Sequence, residues 1–156
     1  MNRACIAIVD VTRARICEYD VRRSPGDELK EIADLVNPGR RHIGDNFEDT
    51  IPGERGTQAT NDHRTQFAES RDGKFAREVV GEIERIVREG AFSNLVVVAG
   101  PRMLGELRKH DSPLRRDGLQ LDEIERDLAW QSNAQLHDHL AQMGVIPARQ
   151  RMAAAR

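Results

Sequence analysis

The chain of 156 residues has no long apolar run, few aromatic residues and only two cysteines. No stretch approaches the roughly 18 apolar residues that a membrane-spanning helix needs, so the sequence predicts no membrane segment. The N-terminal apolar stretch is short and ends at Asp10, which indicates a first core strand rather than a signal peptide. With 32% charged residues, the composition predicts one soluble, cytoplasmic domain.

The two cysteines, Cys5 and Cys17, fall on the first two predicted strands. In a domain large enough for a core, they favour free thiols in a reducing compartment. A cross-strand disulfide stays open if the hairpin register places the two residues opposite each other. Neither cysteine has metal-ligand spacing with a histidine, and the five histidines are expected at the surface. The sequence therefore predicts no metal site built from these residues.

Lysine is scarce, although cations are not. Lys30, Lys74 and Lys109 are the only lysines among 24 lysine and arginine residues, so 21 of the cations are arginines. The planar fork of arginine suits phosphate and carboxylate recognition, but codon usage in a GC-rich genome explains the same bias. Because the net charge is −2, the chain as a whole has no pull toward nucleic acid.

The most informative stretch present is residues 94–108, which reads as a buried strand, a Gly100-Pro101 break and an immediate helix. Ligands bind at the carboxyl ends of strands in open α/β sheets, so this stretch indicates a surface. The chain has no Gly-Lys-Ser/Thr, Gly-x-Gly-x-x-Gly or Gly-x-Ser-x-Gly pattern. Consequently no cofactor and no serine or cysteine nucleophile is predicted.

Apolar periodicity and turn residues predict one domain over residues 1–144, followed by a basic, frayed tail over 145–156. The stretch 28–37 fits either a helix or a third strand, and 119–128 either a strand or an extended lead-in. Ser132 and Gln135 form a capping box that opens the last helix, and Gly144 ends it. The predicted elements are strands over 3–10, 13–19 and 28–37, an irregular segment over 38–70, a helix over 72–89, a strand over 94–99, a helix over 102–110, the stretch 119–128 and the last helix.

Four motifs occur in an order that resembles one family. They are Val-Asp-Val-Thr-Arg-Ala-Arg-Ile at 9–16, Phe-Ala-Arg-Glu at 75–78, the block 95–108 and Glu-Ile-Glu-Arg-Asp-Leu at 123–128. The chain resembles bacterial proteins "required for attachment to host cells" from about Ala4 to Leu140. That family is similar to the middle domain of the archaeal and eukaryotic peptide-chain release factor. The resemblance implies a ribonuclease-H-like, three-layer α/β/α fold, with an antiparallel β-meander followed by βα crossovers in a mixed sheet, and it favours the strand at 28–37.

In the release factor, the loop after the meander carries Gly-Gly-Gln into the ribosomal peptidyl-transferase centre. The equivalent segment here is 38–70, which contains Gly56-Thr57-Gln58. A β-branched threonine at the middle position lacks the backbone freedom of glycine, and acidic residues outnumber arginines in this segment. Peptidyl-tRNA hydrolysis is therefore not expected, and Gln58 stays a weak catalytic candidate.

Asp10 is the second weak catalytic candidate, because ribonuclease-H-like enzymes place a metal-binding carboxylate at the end of this strand. A metal site needs several oxygen ligands, and no spacing brings Glu18, Asp34 or Asp127 to Asp10. The alternative interpretation is an aspartate that caps the turn at Val11.

The remaining candidates bind anions or RNA rather than catalyse. Gly100 and Arg102 open a helix whose N-terminus attracts anions, and Arg108 either joins them or pairs with Asp127. Gly105, inside that helix, is expected to allow close packing on the sheet. The other candidates are Arg13, Arg40, Arg41, Arg55, and the basic cluster of Arg115 and Arg116 with Lys109 and His110.

Three functions remain open on these residues. The first is a non-enzymatic protein that binds the ribosome, RNA or another translation component. The second is a metal-dependent hydrolase or nuclease that uses Asp10 and segment 38–70. The third is an exported host-contact factor. The oligomeric state is left open.

Overall fold

The computed structural model describes residues 2–22, 29–40 and 58–149, and only the backbone of Arg40 and of residues 58–70. Five strands and three α-helices are found within these ranges. They are β1 (Arg3–Val9), β2 (Arg13–Asp20), β3 (Lys30–Val36), α1 (Gln58–Glu89), β4 (Asn94–Ala99), α2 (Pro101–Arg108), β5 (Gln120–Glu125) and α3 (Asn133–Gln142). Short 3-10 turns cover Pro38–Arg40 and Ser112–Leu114. No helix in the described ranges is long and apolar enough to cross a membrane.

The strands form one mixed sheet in the order β3-β2-β1-β4-β5. β1, β2 and β3 make the antiparallel meander, while β4 and β5 run parallel to β1. The predicted third strand and the mixed sheet are thus confirmed. β1 and β4 lie inside the sheet and are buried on both faces, which explains their unbroken apolar sequences.

Helices cover both faces of the sheet, so the predicted three-layer architecture is also confirmed. On one face, α1 and α2 pack against Cys5, Leu95 and Val97. On the other face, α3 packs against Ile6 and Val96. We call these the two-helix face and the one-helix face. Successive residues of a strand point to opposite sides, so each inner strand contributes to both cores.

Helix α1 begins earlier than predicted. It starts at Gln58, whereas the sequence predicted a helix from residue 72 and an irregular segment over 38–70. The apolar stripe used for the prediction begins at Phe75, but the preceding residues 58–72 contain neither glycine nor proline, so their backbone continues the helix. Residues 41–57 lie outside the described ranges.

Residues 145–149 pack on the domain, although the sequence predicted a frayed tail from residue 145. Ile146 is buried on the one-helix face. His137, expected at the surface, is buried, and its Nε2 lies 2.9 Å from the carbonyl oxygen of Pro147. Arg149 makes a two-pronged ion pair with Asp138. The domain therefore extends to Arg149 at least, and residues 150–156 lie outside the described ranges.

The capping box at the start of α3 is confirmed. The hydroxyl of Ser132 accepts from the Gln135 backbone N–H at 3.1 Å, and the Gln135 side chain accepts from the Ser132 N–H at 2.9 Å. Gly144 follows the helix with φ of 75°, a left-handed conformation that glycine adopts without strain.

The structure rules out the cross-strand disulfide. The register pairs Cys5 with Glu18 and Cys17 with Ile6, so the two cysteines are one position out of alignment. Their side chains therefore lie in opposite cores, Cys5 on the two-helix face and Cys17 on the one-helix face. Both are free and buried, and burial raises the pKa of each thiol to about 12.

The expected packing role of Gly105 is wrong. A methyl group built at Gly105 would meet no neighbouring atom within 4 Å among the described residues. The glycine therefore does not serve a close approach of helix to sheet.

Candidate functional site

The candidate site begins at the edge of the sheet where β1, β4 and β5 end. These three strands are parallel, so the residues after them, Asp10, Gly100 and Arg126, lie along one edge. Arg13 starts antiparallel β2 at the same edge, and Asn37 follows β3 there. The fold thus brings together four of the candidates predicted from the sequence, Asp10, Arg13, Gly100 and Arg102.

Asp10 is engaged by the turn that follows it. Its Oδ1 accepts hydrogen bonds from the Thr12 backbone N–H at 2.7 Å, the Thr12 hydroxyl at 2.7 Å and the Arg13 N–H at 2.8 Å. This is the geometry of the turn-capping alternative, in which a short carboxylate satisfies backbone donors.

Two of the three acidic residues considered as metal partners of Asp10 are paired elsewhere. Glu18 binds Arg3 at 3.0 Å, and Asp34 binds Arg13 at 3.0 Å. Across the described ranges, no group of three or more histidine, cysteine, aspartate or glutamate residues is arranged to hold a metal ion. Glu18 and Asp34 therefore have structural partners, and Glu18 lies toward the opposite end of β2 from Asp10.

Arg102 lies at the same edge and is tied to a buried carboxylate. Its Nε donates to Asp72 Oδ2 at 2.9 Å, and the Asp72 side chain is fully buried while that of Arg102 is 46% exposed. Asn37 donates to the carbonyl oxygen of Val11 at 2.8 Å and to Asp72 Oδ1 at 3.4 Å. Together these contacts link α1 and α2 with the turns after β1 and β3. Part of the Arg102 guanidinium stays at the surface.

Gly100 has an ordinary extended conformation at the N-cap of α2, with φ of −68° and ψ of 168°. No side chain caps this helix end, and a Cβ at Gly100 would meet nothing within 4 Å among the described residues. Neither the backbone nor packing requires a glycine at this position.

Arg108 and Arg115 share one acidic partner. The Nε of Arg108 donates to Glu123 Oε2 at 2.8 Å, so the suggested pairing of Arg108 with Asp127 is wrong. Arg115 binds the other oxygen of Glu123 and also donates to Asp111 Oδ2 at 2.9 Å. The hydrogen bond to Asp111 and the nearby carboxylate charges raise the pKa of the Arg115 guanidinium. This guanidinium therefore remains charged at every physiological pH.

Two more cations lie on the same side of the protein. Lys109 donates to Glu106 at 3.1 Å. Arg116 is exposed, and its side chain makes no hydrogen bond or ion pair among the described residues. We define the basic surface as the outward-facing cations of α2 and the segment that follows it, namely Arg102, Arg108, Lys109, Arg115 and Arg116.

The cavity beneath the basic surface is too small for a ligand. It lies between α1, α2 and β5, is lined by Ile83, Leu104, Leu107 and Leu121, and has Arg108 and Glu123 at its rim. Its volume is about 10 Å³, which is about that of one water molecule. An anion drawn to the basic surface would therefore bind on that surface and not in this cavity.

Sequence reasoning missed a second exposed feature at the sheet edge, the Trp130 indole. Its side chain is 66% exposed, and the guanidinium of Arg13 lies 5.7 Å from the ring centroid. Arg15, on the same strand as Arg13, is buried and holds the segment that carries Trp130. The available signals were the single tryptophan of the chain and an arginine within an otherwise apolar part of β2.

The other candidates predicted from the sequence are not brought into a described site. Gln58 is the first residue of α1, and Arg40 lies in a 3-10 turn, but the side chains of both are outside the description. Arg41 and Arg55 fall in residues 41–57, which also lie outside the described ranges.

The sequence matches a known family, and the fold is similar to solved structures. A family model described as "Protein required for attachment to host cells" matches residues 5–140. No curated protein matches the chain. Among solved structures, the Aquifex aeolicus Ppx/GppA phosphatase in its type II variant is similar, with 13% identity, a TM-score of 0.39 and coverage of 92% of this chain and 41% of that chain.

The archaeal translation termination factor aRF1 is also similar, with 13% identity, a TM-score of 0.40 and coverage of 94% of this chain and 35% of that chain. The chain thus spans less than half the length of either protein. Similarity at this level leaves the function to be argued from the residues themselves.

Proposed function

Since the chain belongs to the family of proteins required for attachment to host cells, as its four motifs had indicated, we propose that it is a non-enzymatic protein that binds an RNA-containing component of translation, the ribosome or tRNA, in the cytoplasm. The host-attachment phenotype then follows indirectly, through an effect on the synthesis of other proteins.

The observation that carries this proposal is that the cations of the basic surface are more exposed to solvent than the carboxylates with which they pair. Each ion pair there has an exposed cation and a more buried carboxylate. The exposed fractions of the two side chains are 57% and 17% for Arg108 and Glu123, 66% and 12% for Lys109 and Glu106, and 51% and 12% for Arg115 and Asp111. An approaching phosphate therefore meets guanidinium and ammonium groups first, although the local net charge is small.

The surface of α1 provides a contrast. Arg85 pairs with Glu82, which is 27% exposed, and with Glu89, which is 64% exposed, while Arg88 pairs with Glu84, which is 27% exposed. The carboxylates there reach solvent more than those of the basic surface do, as is usual on a solvated helix. The separation by depth is thus greater in the basic surface than on α1.

The state of the two catalytic candidates favours binding over catalysis. Asp10 already accepts three hydrogen bonds within its own turn. Gln58 begins a helix, so the backbone there differs from the irregular loop that the Gly-Gly-Gln likeness required.

The test is co-sedimentation of the full chain with ribosomes from its own cells, at low and high salt. We expect binding that salt weakens, because each phosphate contact releases a counterion. Arg116→Ala should weaken binding and lower the salt slope by about 1, since Arg116 has no partner whose loss would disturb the fold. Arg88→Ala, which removes one exposed cation from α1, is the matched control and should leave binding unchanged.

Two results would contradict the proposal. One is a protein that stays at the top of the gradient at every salt concentration, in growing and starved cells. The other is an equal loss of binding in Arg116→Ala and Arg88→Ala, which would point to overall charge. Recovery of the protein outside intact cells would instead favour the host-contact factor that the family description suggests.

A further inference from the structure

Trp130 is the only tryptophan in the chain and the most exposed of its large hydrophobic side chains in the described ranges. Its neighbours Leu128 and Ala129 are buried on the one-helix face. The segment therefore enters the core, and its tryptophan nevertheless points out. An indole gains free energy when it is buried, so an exposed one can contribute strongly to the binding of a partner.

Arg15 prevents the ring from retreating into the core. This arginine is 5% exposed, and its guanidinium donates to the carbonyl oxygens of Ala129, at 3.1 Å, and Gln131, the residues on either side of Trp130. It also donates to the Asn133 side chain and, through Nε at 3.2 Å, to Glu31. Both flanks of Trp130 are thus fixed to β2, and the indole is presented on a rigid support.

The surroundings of the ring are polar. The Arg13 guanidinium lies 5.7 Å from the ring centroid and is held in place by Asp34, at 3.0 Å, while its backbone N–H is bound by Asp10. Val36, paired with Arg13 across β2 and β3, is 50% exposed and adds a small apolar surface. A stable protein interface buries about 800 Å² on each partner around an apolar core, and so few apolar side chains fall short of that.

We propose that Trp130 is a stacking platform for an unpaired base of single-stranded RNA, with the Arg13 guanidinium beside it for the adjoining phosphate. The inference rests on the proposed function and names the part of the RNA that is recognised. Every base has a π-face that can stack on the indole ring, and the guanidinium beside the ring can bind the phosphate of the backbone. Duplex RNA hides those faces, so the partner is a loop or an unpaired end.

The experiment uses the fluorescence of Trp130 itself, which is free of interference from other tryptophans. The full chain is titrated at low salt with oligoadenylate of about ten nucleotides. Inorganic polyphosphate at equal phosphate concentration serves as the probe without bases, and a duplex of the same length as the probe without free base faces. Stacking quenches the emission, so we expect quenching by oligoadenylate alone.

Substitutions measured by anisotropy of labelled oligoadenylate separate stacking from charge. Trp130→Ala should weaken binding about tenfold, within the range for loss of one stacked base. Trp130→Phe should stay within about threefold, because it keeps an aromatic face. Trp130→Leu is the matched apolar control and should behave like alanine. Arg116→Ala should lower affinity but leave the quenching at saturation unchanged.

The outcomes distinguish this inference from the proposed function. If oligoadenylate binds without quenching, or if Trp130→Leu binds as well as Trp130→Phe, the platform is refuted while RNA binding stands. Equal quenching by polyphosphate also refutes it, because charge alone would then move the ring. A response to whole ribosomal subunits but not to their extracted RNA assigns the ring to a protein contact instead. If neither RNA nor ribosomes bind, the proposed function fails and the platform fails with it.

Discussion

The two faces of the sheet are closed by different kinds of interaction. On the two-helix face, apolar side chains such as Phe75, Val79 and Ile83 pack on the strands. On the one-helix face, α3 packs in the same way, but the segment before it is fixed by the buried guanidinium of Arg15. A repeating apolar stripe is visible in the sequence, whereas a buried polar contact between residues 114 to 118 positions apart is not.

The two kinds of interaction also differ in what they do. Apolar burial stabilises the fold in proportion to the area removed from water, without fixing a direction. A buried arginine contributes little net stability, because its desolvation offsets its bonds, but its loss leaves buried acceptors without a donor. We therefore expect the two-helix face to hold most of the stability and Arg15 to hold the position of Trp130.

The largest effect should come from Phe75→Ala, which empties the core of the two-helix face. Phe75 is 1% exposed, and such a truncation costs about 3–5 kcal/mol of unfolding free energy. Urea denaturation followed by circular dichroism measures it. The native emission of Trp130 should stay unchanged, because the ring lies on the other face. A shifted native emission would contradict the separation of the two faces.

Arg15→Met should cost slightly less, about 3 kcal/mol, but act locally. The carbonyl oxygens of Ala129 and Gln131 lose their donor, so hydrogen exchange around Trp130 should accelerate and its emission should change. Arg15→Lys is the control, because it keeps the charge but loses Nε and Nη2, which donate to Glu31 and Asn133. Full stability together with unchanged Trp130 emission in Arg15→Met would show that the guanidinium does not fix this segment.

Gly105→Ala should stabilise the protein by about 0.5–1 kcal/mol, since a helical glycine with open space around it gains from a methyl group. The site is on α2, so the gain belongs to the two-helix face. Gly144→Ala makes the same chemical change after α3, where φ is 75°, and should destabilise by about 1 kcal/mol. Thermal unfolding of both variants tests the pair, and a loss of stability in Gly105→Ala would restore a packing role for this glycine.

The smallest effect on stability should come from the exposed ion pair of Arg22 and Asp20. This pair contrasts with the buried contacts of Arg15. Hydrogen bonds from the Arg22 side chain and backbone lower the pKa of Asp20 to about 2. The pKa of Asp20 in the folded protein lies below its ordinary value. The stabilisation that ionised Asp20 gives the fold is therefore fully present above about pH 4 and is lost as pH falls through 2.

Arg22→Ala should raise the pKa of Asp20 and reduce this acid dependence. Titration of the Asp20 carboxyl by NMR measures the change. An unchanged pKa in the variant would assign the shift to Arg3, which lies 3.9 Å away.

Much of the fold could be predicted from the sequence, because it depends on patterns that neighbouring residues share. Unbroken apolar runs were sufficient to predict β1 and β4. The apolar stripe from Phe75 predicted most of α1, and the capping box at Ser132 predicted the start of α3. The early start of α1 was missed because residues 58–72 carry helix propensity without an apolar stripe.

The candidate site was only partly predictable. The turn after β1 and the start of α2 could be placed at one sheet edge, since parallel strands end together. The partners of Arg102, Arg108 and Arg115 could not be identified, because Asp72 and Glu123 are among many acidic residues in the chain, and only packing decides which of them is buried beside a cation. The exposure of Trp130 was missed for the same reason.

The sequence by itself determined the order of strands and helices, the family, and most of the apolar residues that are buried, because local propensity and apolar periodicity act along the chain. Only the tertiary structure decided which charges are exposed and which are buried, that Cys5 and Cys17 lie in opposite cores, and that Arg15 holds Trp130 outward. These features depend on distances between residues far apart in sequence, which exist only after the sheet has formed its register and the helices have packed on it.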